Sequence, residues 1–146
     1  MTGINWLRVI LGGVVWCLAY NLLLGASWFT LLHSRGIASF HPLLGAQQPP
    51  TPGQAVSVVL LTLAMGIFAT WFYAAMQPRY AAGSVTAACI GVALWAIWGL
   101  MPNWPPAVMH SLPAGPLVVE MVCKLVVIAL ATLAGASLYR EKTVAP

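Results

Sequence analysis

Two charged residues of opposite sign lie inside one apolar stretch of the chain, residues 116–139. Glu120 and Lys124 are four positions apart, so in a helix they share one face with the acid before the base, the favourable order. An ionisable side chain costs about 2.5–3.5 kcal/mol near the bilayer centre, so it needs a partner or water. The pair predicts either a site for an ion, a proton or a small ligand, or a structural ion pair reaching toward the interface.

Three polar or aromatic side chains in other apolar stretches are predicted to lie at a similar depth. A rise of about 1.5 Å per helical residue, counted from the outer end of each stretch, brings Asn21, Thr62 and Trp95 near the level of the pair. These five residues form the predicted ligand or ion layer in the outer half of the protein.

Other chemistry has little support in the residue pattern. No catalytic residue is predicted, because the chain has no Asp, no nucleophile-elbow context and no glycine-rich phosphate loop. His33, His41 and His110 are predicted on the outer side, and with nearby methionines they would suit copper. Their spacing matches no compact ligand motif, so neither a metal site nor a cofactor is predicted.

The composition is that of an integral membrane protein. Of 146 residues, 61% are hydrophobic and 5% are charged, whereas soluble domains carry about 25% charged residues. The net charge of +4 is dispersed rather than clustered, so a nucleic-acid partner is not predicted. The whole chain, residues 1–146, is predicted to be one transmembrane domain in contact with the lipid bilayer.

Continuous apolar stretches predict an all-α fold, a polytopic four-helix bundle. The helices are expected at about residues 4–32, 54–76, 81–101 and 116–139, with loops rich in proline and glycine at 33–53 and 102–115. A tight turn is expected at residues 77–80. The positive-inside rule puts both termini in the cytoplasm, because most basic residues flank that side: Arg8, Arg79, Arg140 and Lys142, against Arg35 on the other.

Small residues recur at helical spacing and predict faces where helices approach closely. On the second stretch the face contains Thr62, Gly66 and Thr70. The third stretch has the most continuous face, which could also join two copies of the chain. The other residues predicted to pack are Gly13 and Gly25 on the first stretch, Gly83, Ala87, Gly91 and Gly99 on the third, and Gly135 on the fourth.

Three segments resemble a family of small uncharacterised bacterial four-helix integral membrane proteins. They read Arg-Val-Ile-Leu-Gly-Gly at residues 8–13, Gln-Pro-Arg-Tyr-Ala-Ala-Gly at 77–83, and Ala-Thr-Leu-Ala-Gly-Ala-Ser-Leu-Tyr-Arg-Glu at 131–141. The resemblance implies a multi-pass protein of the bacterial cytoplasmic (inner) membrane. It implies no activity.

The sequence therefore favours a non-catalytic membrane protein that packs against a partner, either a second copy or another membrane protein. One alternative is a small transporter or ligand-binding protein that uses the layer around Glu120 and Lys124. A further alternative is a metal-binding protein that uses the histidines, or a lipid-active enzyme that uses Glu120 and a histidine.

Overall fold

A computed structural model describes residues 4–27, 30, 51–80, 83–102, 104–105 and 114–139. Across these residues the fold is all-helical, with four helices and no strand. Three of the helices are long and apolar enough to cross a membrane, over Trp6–Ser27, Pro52–Tyr80 and Leu117–Ser137. The prediction of an all-α fold with apolar helices of membrane-spanning length is confirmed.

The four helices are α1 (Trp6–Ser27), α2 (Pro52–Tyr80), α3 (Ser84–Leu94) and α4 (Ala114–Ser137). A π-helical segment, Trp95–Leu100, continues α3 in the same direction. Directly after it, the amide of Met101 donates to the carbonyl oxygen of Ala96, five residues earlier, at 3.1 Å. The shorter unit Ser84–Leu100 occupies the position of the third predicted helix.

Helix α2 is longer than predicted at both of its ends. At its start Thr51 and Gln54 cap each other, because the Thr51 amide donates to Gln54 Oε1 at 2.9 Å and the Gln54 amide donates to Thr51 Oγ1 at 3.4 Å. Pro52 then occupies the first helical position, where its missing N–H costs nothing.

The turn predicted at residues 77–80 is wrong, since α2 continues through Pro78 to Tyr80. Pro78 lies in the last turn, where only one backbone hydrogen bond is lost, so the helix is not broken there.

The remaining boundaries differ from the predicted ones by a few residues. Helix α1 begins at Trp6, and residues 28–29 and 31–50 lie outside the described residues. Helix α3 begins at Ser84 rather than at residue 81, with Gly83 before it. Helix α4 begins at Ala114 and ends at Ser137. Most of the two predicted outer loops lies outside the described residues.

Helix α1 packs against both α2 and α4, and α4 also packs along α3. The neighbours run antiparallel, because Gly12 and Trp16 of α1 meet Gly135 and Thr132 of α4 in reverse order. Between these helices lies a core of fully buried side chains. Its largest members are Trp16, Leu94, Ile128 and Val9.

Candidate functional site

The ion pair predicted from spacing forms within α4. Lys124 Nζ lies 2.7 Å from Glu120 Oε1, and the two side chains are 17% and 14% exposed, respectively. One helical turn separates the residues, so the pair needs no rearrangement of the backbone. Because both side chains are mostly shielded, each charge compensates for part of the hydration that the other has lost.

The π-helical segment places Trp95 beside this pair. Its Nε1–H donates to the carbonyl oxygen of Met121 at 3.0 Å, and Met121 follows Glu120 directly. Gly99, one turn later, leaves space for the indole, because a Cβ there would lie 2.7 Å from Trp95 Cδ1. Trp95 thus fixes α3 to α4 at the level of the ion pair.

A second polar cluster joins α1 to α2 around Asn21. Asn21 Nδ2 donates to Thr62 Oγ1 at 3.0 Å and to the carbonyl oxygen of Cys17 at 2.8 Å. Cys17 Sγ lies 3.3 Å from Thr62 Oγ1, and Thr62 itself donates to the carbonyl oxygen of Val59 at 3.0 Å. The side-chain amide of Asn21 is therefore an interhelical tie.

Among the described residues, the predicted layer contains two polar clusters. Asn21 and Thr62 come together between α1 and α2, whereas Trp95 contacts α4 next to Glu120. All five predicted side chains make polar contacts.

The residues predicted to pack have different surroundings. Gly13 and Gly91 lie in close contacts, since a Cβ at Gly13 would be 2.7 Å from Ile67 Cα and one at Gly91 would be 2.8 Å from Ala129 Cα. Ala87 is buried in the core. Gly135 faces Gly12, whose carbonyl oxygen would lie 2.9 Å from an added Cβ.

Two predicted packing glycines lie in no close contact with the described part of the chain. No described residue has an atom within 4 Å of a Cβ built on Gly25 or on Gly83, and Gly83 precedes α3 rather than lying within it. Gly91 contacts α4 of its own chain, so the middle of the stripe on α3 packs within the chain.

The candidate metal ligands lie beyond the part of the chain that is described. His33, His41 and His110 are all outside the described residues. Within those residues, no three side chains of the types that bind metals come together.

Two important interior residues were missed by sequence reasoning. Trp16 is fully buried, stacks on Tyr20 with ring centroids 4.9 Å apart, and donates from Nε1 to Thr132 Oγ1 at 3.1 Å. Gln77, expected in a turn, is buried near the end of α2. The sequence contained a signal for this burial, because Gln77 follows Thr70 and Tyr73 at helical spacing on the inward face of α2.

Comparison with known proteins adds no further constraint on the site. No protein family, curated protein or solved structure matches the chain. Its function must therefore be argued from its own geometry.

Proposed function

We propose that the protein is a multi-pass protein of the bacterial inner membrane, a four-helix bundle with both termini in the cytoplasm. Three helices of spanning length support this, together with the antiparallel packing of α3 along α4. The bacterial assignment rests on the family resemblance of residues 8–13, 77–83 and 131–141. The orientation rests on the excess of basic residues predicted on one side.

Whether the α3 unit crosses the membrane, as a fourth crossing beside those of α1, α2 and α4, decides the topology. The unit Ser84–Leu100 is shorter than the other three, about 25 Å at 1.5 Å per residue, against a hydrocarbon core of about 30 Å. Its packing along α4 supports a crossing. If it did not cross, the termini would lie on opposite sides of the membrane.

Reporter fusions test this topology directly. Fusions at residue 82 and at Pro146 are expected to read cytoplasmic, and fusions at Gln47 and Pro106 are expected to read external. A cytoplasmic signal at Pro106 with an external signal at Pro146 would mean that the third helix does not cross.

Within this topology, we infer a non-catalytic function as a membrane subunit that associates through apolar helix surface. The observation that carries this is the internal use of the polar candidates. Glu120 is bonded to Lys124, Asn21 to Thr62, and Trp95 to the backbone of α4. Since these polar groups make contacts within the chain, we infer that a partner binds to its apolar surface.

The first half of α2 is the surface we propose for association. Residues 51–61 are exposed on every side of the helix, whereas the second half of α2 packs into the core. Large apolar side chains cover this exposed half: Val56, Val58, Val59, Leu60 and Leu61. A second copy of the chain is the occupant we propose, because two such helices would cover each other symmetrically.

Site-specific photo-crosslinking in membranes tests the association. A crosslinker at Val58 should give a product of twice the chain mass, and one at Val122, an exposed residue of α4, should not. Mass measurement of the purified protein in detergent should then give a dimer. A product with a different protein at Val58 would move the proposal to a hetero-oligomer, and lipid adducts alone at both positions would reject it.

A carrier or ligand-binding function is the second candidate, and the partial exposure of the ion pair favours it. At 17% and 14% exposure, Lys124 and Glu120 are accessible to a small ion. Replacing both residues, by Glu120→Gln with Lys124→Met, separates the two functions. A packing subunit should keep its association, whereas a carrier should fold but lose transport.

A further inference from the structure

A groove of about 310 Å³ lies between the last turns of α2 and the first half of α3. These consecutive helices leave a space between them, because α2 packs mainly against α1 and α3 mainly along α4. Ile90, only 5% exposed, lines the groove together with Phe72 and Met76 of α2. Cys89 of α3 also lines it and is exposed, so the groove is accessible from outside the protein.

The groove runs along the two helices rather than across them. Phe72, Met76 and Tyr80 line it at four-residue spacing, so it extends over about 12 Å at about 1.5 Å per residue. Helix α2 is of membrane-spanning length and ends at Tyr80, so the groove begins at one end of a crossing and continues inward. One leaflet is about half of a hydrocarbon core of about 30 Å, so the groove has the length and direction of a phospholipid acyl chain.

The two ends of the groove differ in polarity. Ala93 and Phe72, both apolar, line the end that lies deeper along the helices. Tyr80 and Thr86 line the other end, where Thr86 Oγ1 donates to the Tyr80 carbonyl oxygen at 3.2 Å. A tyrosine at the end of a spanning helix is typical of the boundary between lipid and water. The groove therefore has an apolar inner end and a polar outer end, as a phospholipid does.

A positive charge lies beside the polar end. Arg79 is exposed and lies on the same face of α2 as Phe72 and Met76, seven and three residues after them. Among the described residues, the one side-chain carboxylate is that of Glu120, near the start of α4. The end of α4, not its start, lies beside Ser84 at the beginning of α3. The described charges near the polar end therefore favour an anion.

We propose that this groove binds an anionic phospholipid, with one acyl chain between α2 and α3 and the phosphate at Arg79. The chain contacts the apolar residues of the groove, and the phosphate oxygens accept charge-assisted hydrogen bonds from the guanidinium. This inference rests on the membrane placement proposed above, and it is independent of the association proposed for the first half of α2.

Native mass spectrometry of the purified full-length protein in detergent tests the lipid preference. With matched acyl chains, phosphatidylglycerol should bind about five-fold more tightly than phosphatidylcholine, the gain expected from one basic side chain beside an anionic lipid. Glycerophosphoglycerol, which has the same headgroup but no acyl chain, should not displace the lipid. Equal binding of the two lipids, or displacement by the headgroup alone, would overturn the proposal.

The variant Cys89→Trp tests whether the acyl chain occupies the groove. An indole at this exposed position fills the groove, so the variant should lose the bound phosphatidylglycerol without a change in thermal unfolding. The control Val122→Trp, at an exposed position of α4 outside the groove, should retain the lipid. Equal retention by the two variants would overturn the proposal, and if Cys89→Trp does not fold, the wild-type lipid comparison still decides.

The variant Arg79→Gln tests the charge at the polar end. It should bind phosphatidylglycerol and phosphatidylcholine equally, because the guanidinium that favours the anionic lipid is removed. Arg79→Lys should keep a preference for phosphatidylglycerol, since an ammonium also pairs with a phosphate. A preference for phosphatidylglycerol that Arg79→Gln retains in full would overturn the proposal.

A photo-crosslinker at Cys89 in membranes separates this inference from the proposed function. It should give lipid adducts, whereas a product of twice the chain mass would show that a second copy covers the groove and would overturn the lipid proposal. Equal binding of the two lipids together with a dimer product at Val58 would reject the lipid site alone. A chain that does not fractionate with membranes would reject the membrane placement on which both proposals rest.

Discussion

The two halves of the protein hold their helices together by different means. In one, the glycine half, backbones touch at Gly12, Gly13, Gly66 and Gly135. In the other, the polar half, hydrogen bonds join the helices, from Trp95 to the Met121 carbonyl oxygen of α4 and between α1 and α2 at Asn21 and Thr62. The ion pair of Glu120 and Lys124 lies in this half, within α4.

The difference reflects what can hold helices together in lipid. Because lipid tails are as apolar as leucine, helix association relies on van der Waals contact and interhelical hydrogen bonds, and each half relies mainly on one of these. A contact between backbones tolerates no added volume. A polar contact tolerates changes of volume but not the removal of one partner.

The largest effect is expected from adding volume to the glycine half. Gly13→Leu should lower the unfolding free energy by about 3 kcal/mol, because its side chain meets the backbone of Ile67, which cannot turn aside. Gly25→Leu, on the same helix but with no described residue within 4 Å of its Cβ position, should leave the unfolding free energy unchanged or slightly raised. Unfolding in one detergent measures both, and similar losses would remove the close-packing argument.

In the polar half, removing one member of the ion pair should cost about 2–3 kcal/mol, less than for a fully buried pair because both side chains are partly exposed. Glu120→Gln, which leaves Lys124 without its partner, should be more damaging than Lys124→Met. The reason is that Lys124 lies about 6 Å further than Glu120 from the predicted outer end of α4. The double replacement should recover part of the loss. A double-mutant cycle measures the coupling, and strictly additive losses would show that there is none.

Trp16 tests whether the glycine half also depends on a polar bond. Trp16→Phe keeps a large ring in the core but removes the bond to Thr132, so a loss of about 1–2 kcal/mol is expected. The control Trp6→Phe changes an exposed ring and should cost little. If Trp16→Phe costs no more than its control, the two halves differ more sharply than we propose.

The smallest effect is expected at the contact between α1 and α2 in the polar half. Thr62→Val keeps the shape of the side chain but removes the acceptor for Asn21, which should cost about 1 kcal/mol. Asn21 keeps its bond to the Cys17 carbonyl oxygen, so the loss is limited. A loss as large as that of Gly13→Leu would contradict the division between the two halves.

Local rules were enough to predict the helices and the ion pair. Apolar stretches of spanning length can satisfy their backbone groups in lipid only as helices or closed barrels, and their continuous apolarity favoured helices. Glu120 and Lys124 meet because one helical turn separates them, whatever surrounds the helix. The sequence also indicates where α2 starts, because Thr51 and Gln54 have the spacing of residues that cap a helix.

Only the tertiary structure decided which small or polar residues face one another. Gly13 and Gly25 belong to one series at i, i+4 spacing, yet Gly13 contacts α2 whereas no described residue lies within 4 Å of a Cβ built on Gly25. Each step of four residues turns the series by about 40°, and the position of the neighbouring helix decides which of its members it meets. The burial of Gln77 likewise required α2 to continue past Pro78 and α3 and α4 to close around its end. Such placements depend on contacts between residues distant in the chain, which helical periodicity within one segment does not encode.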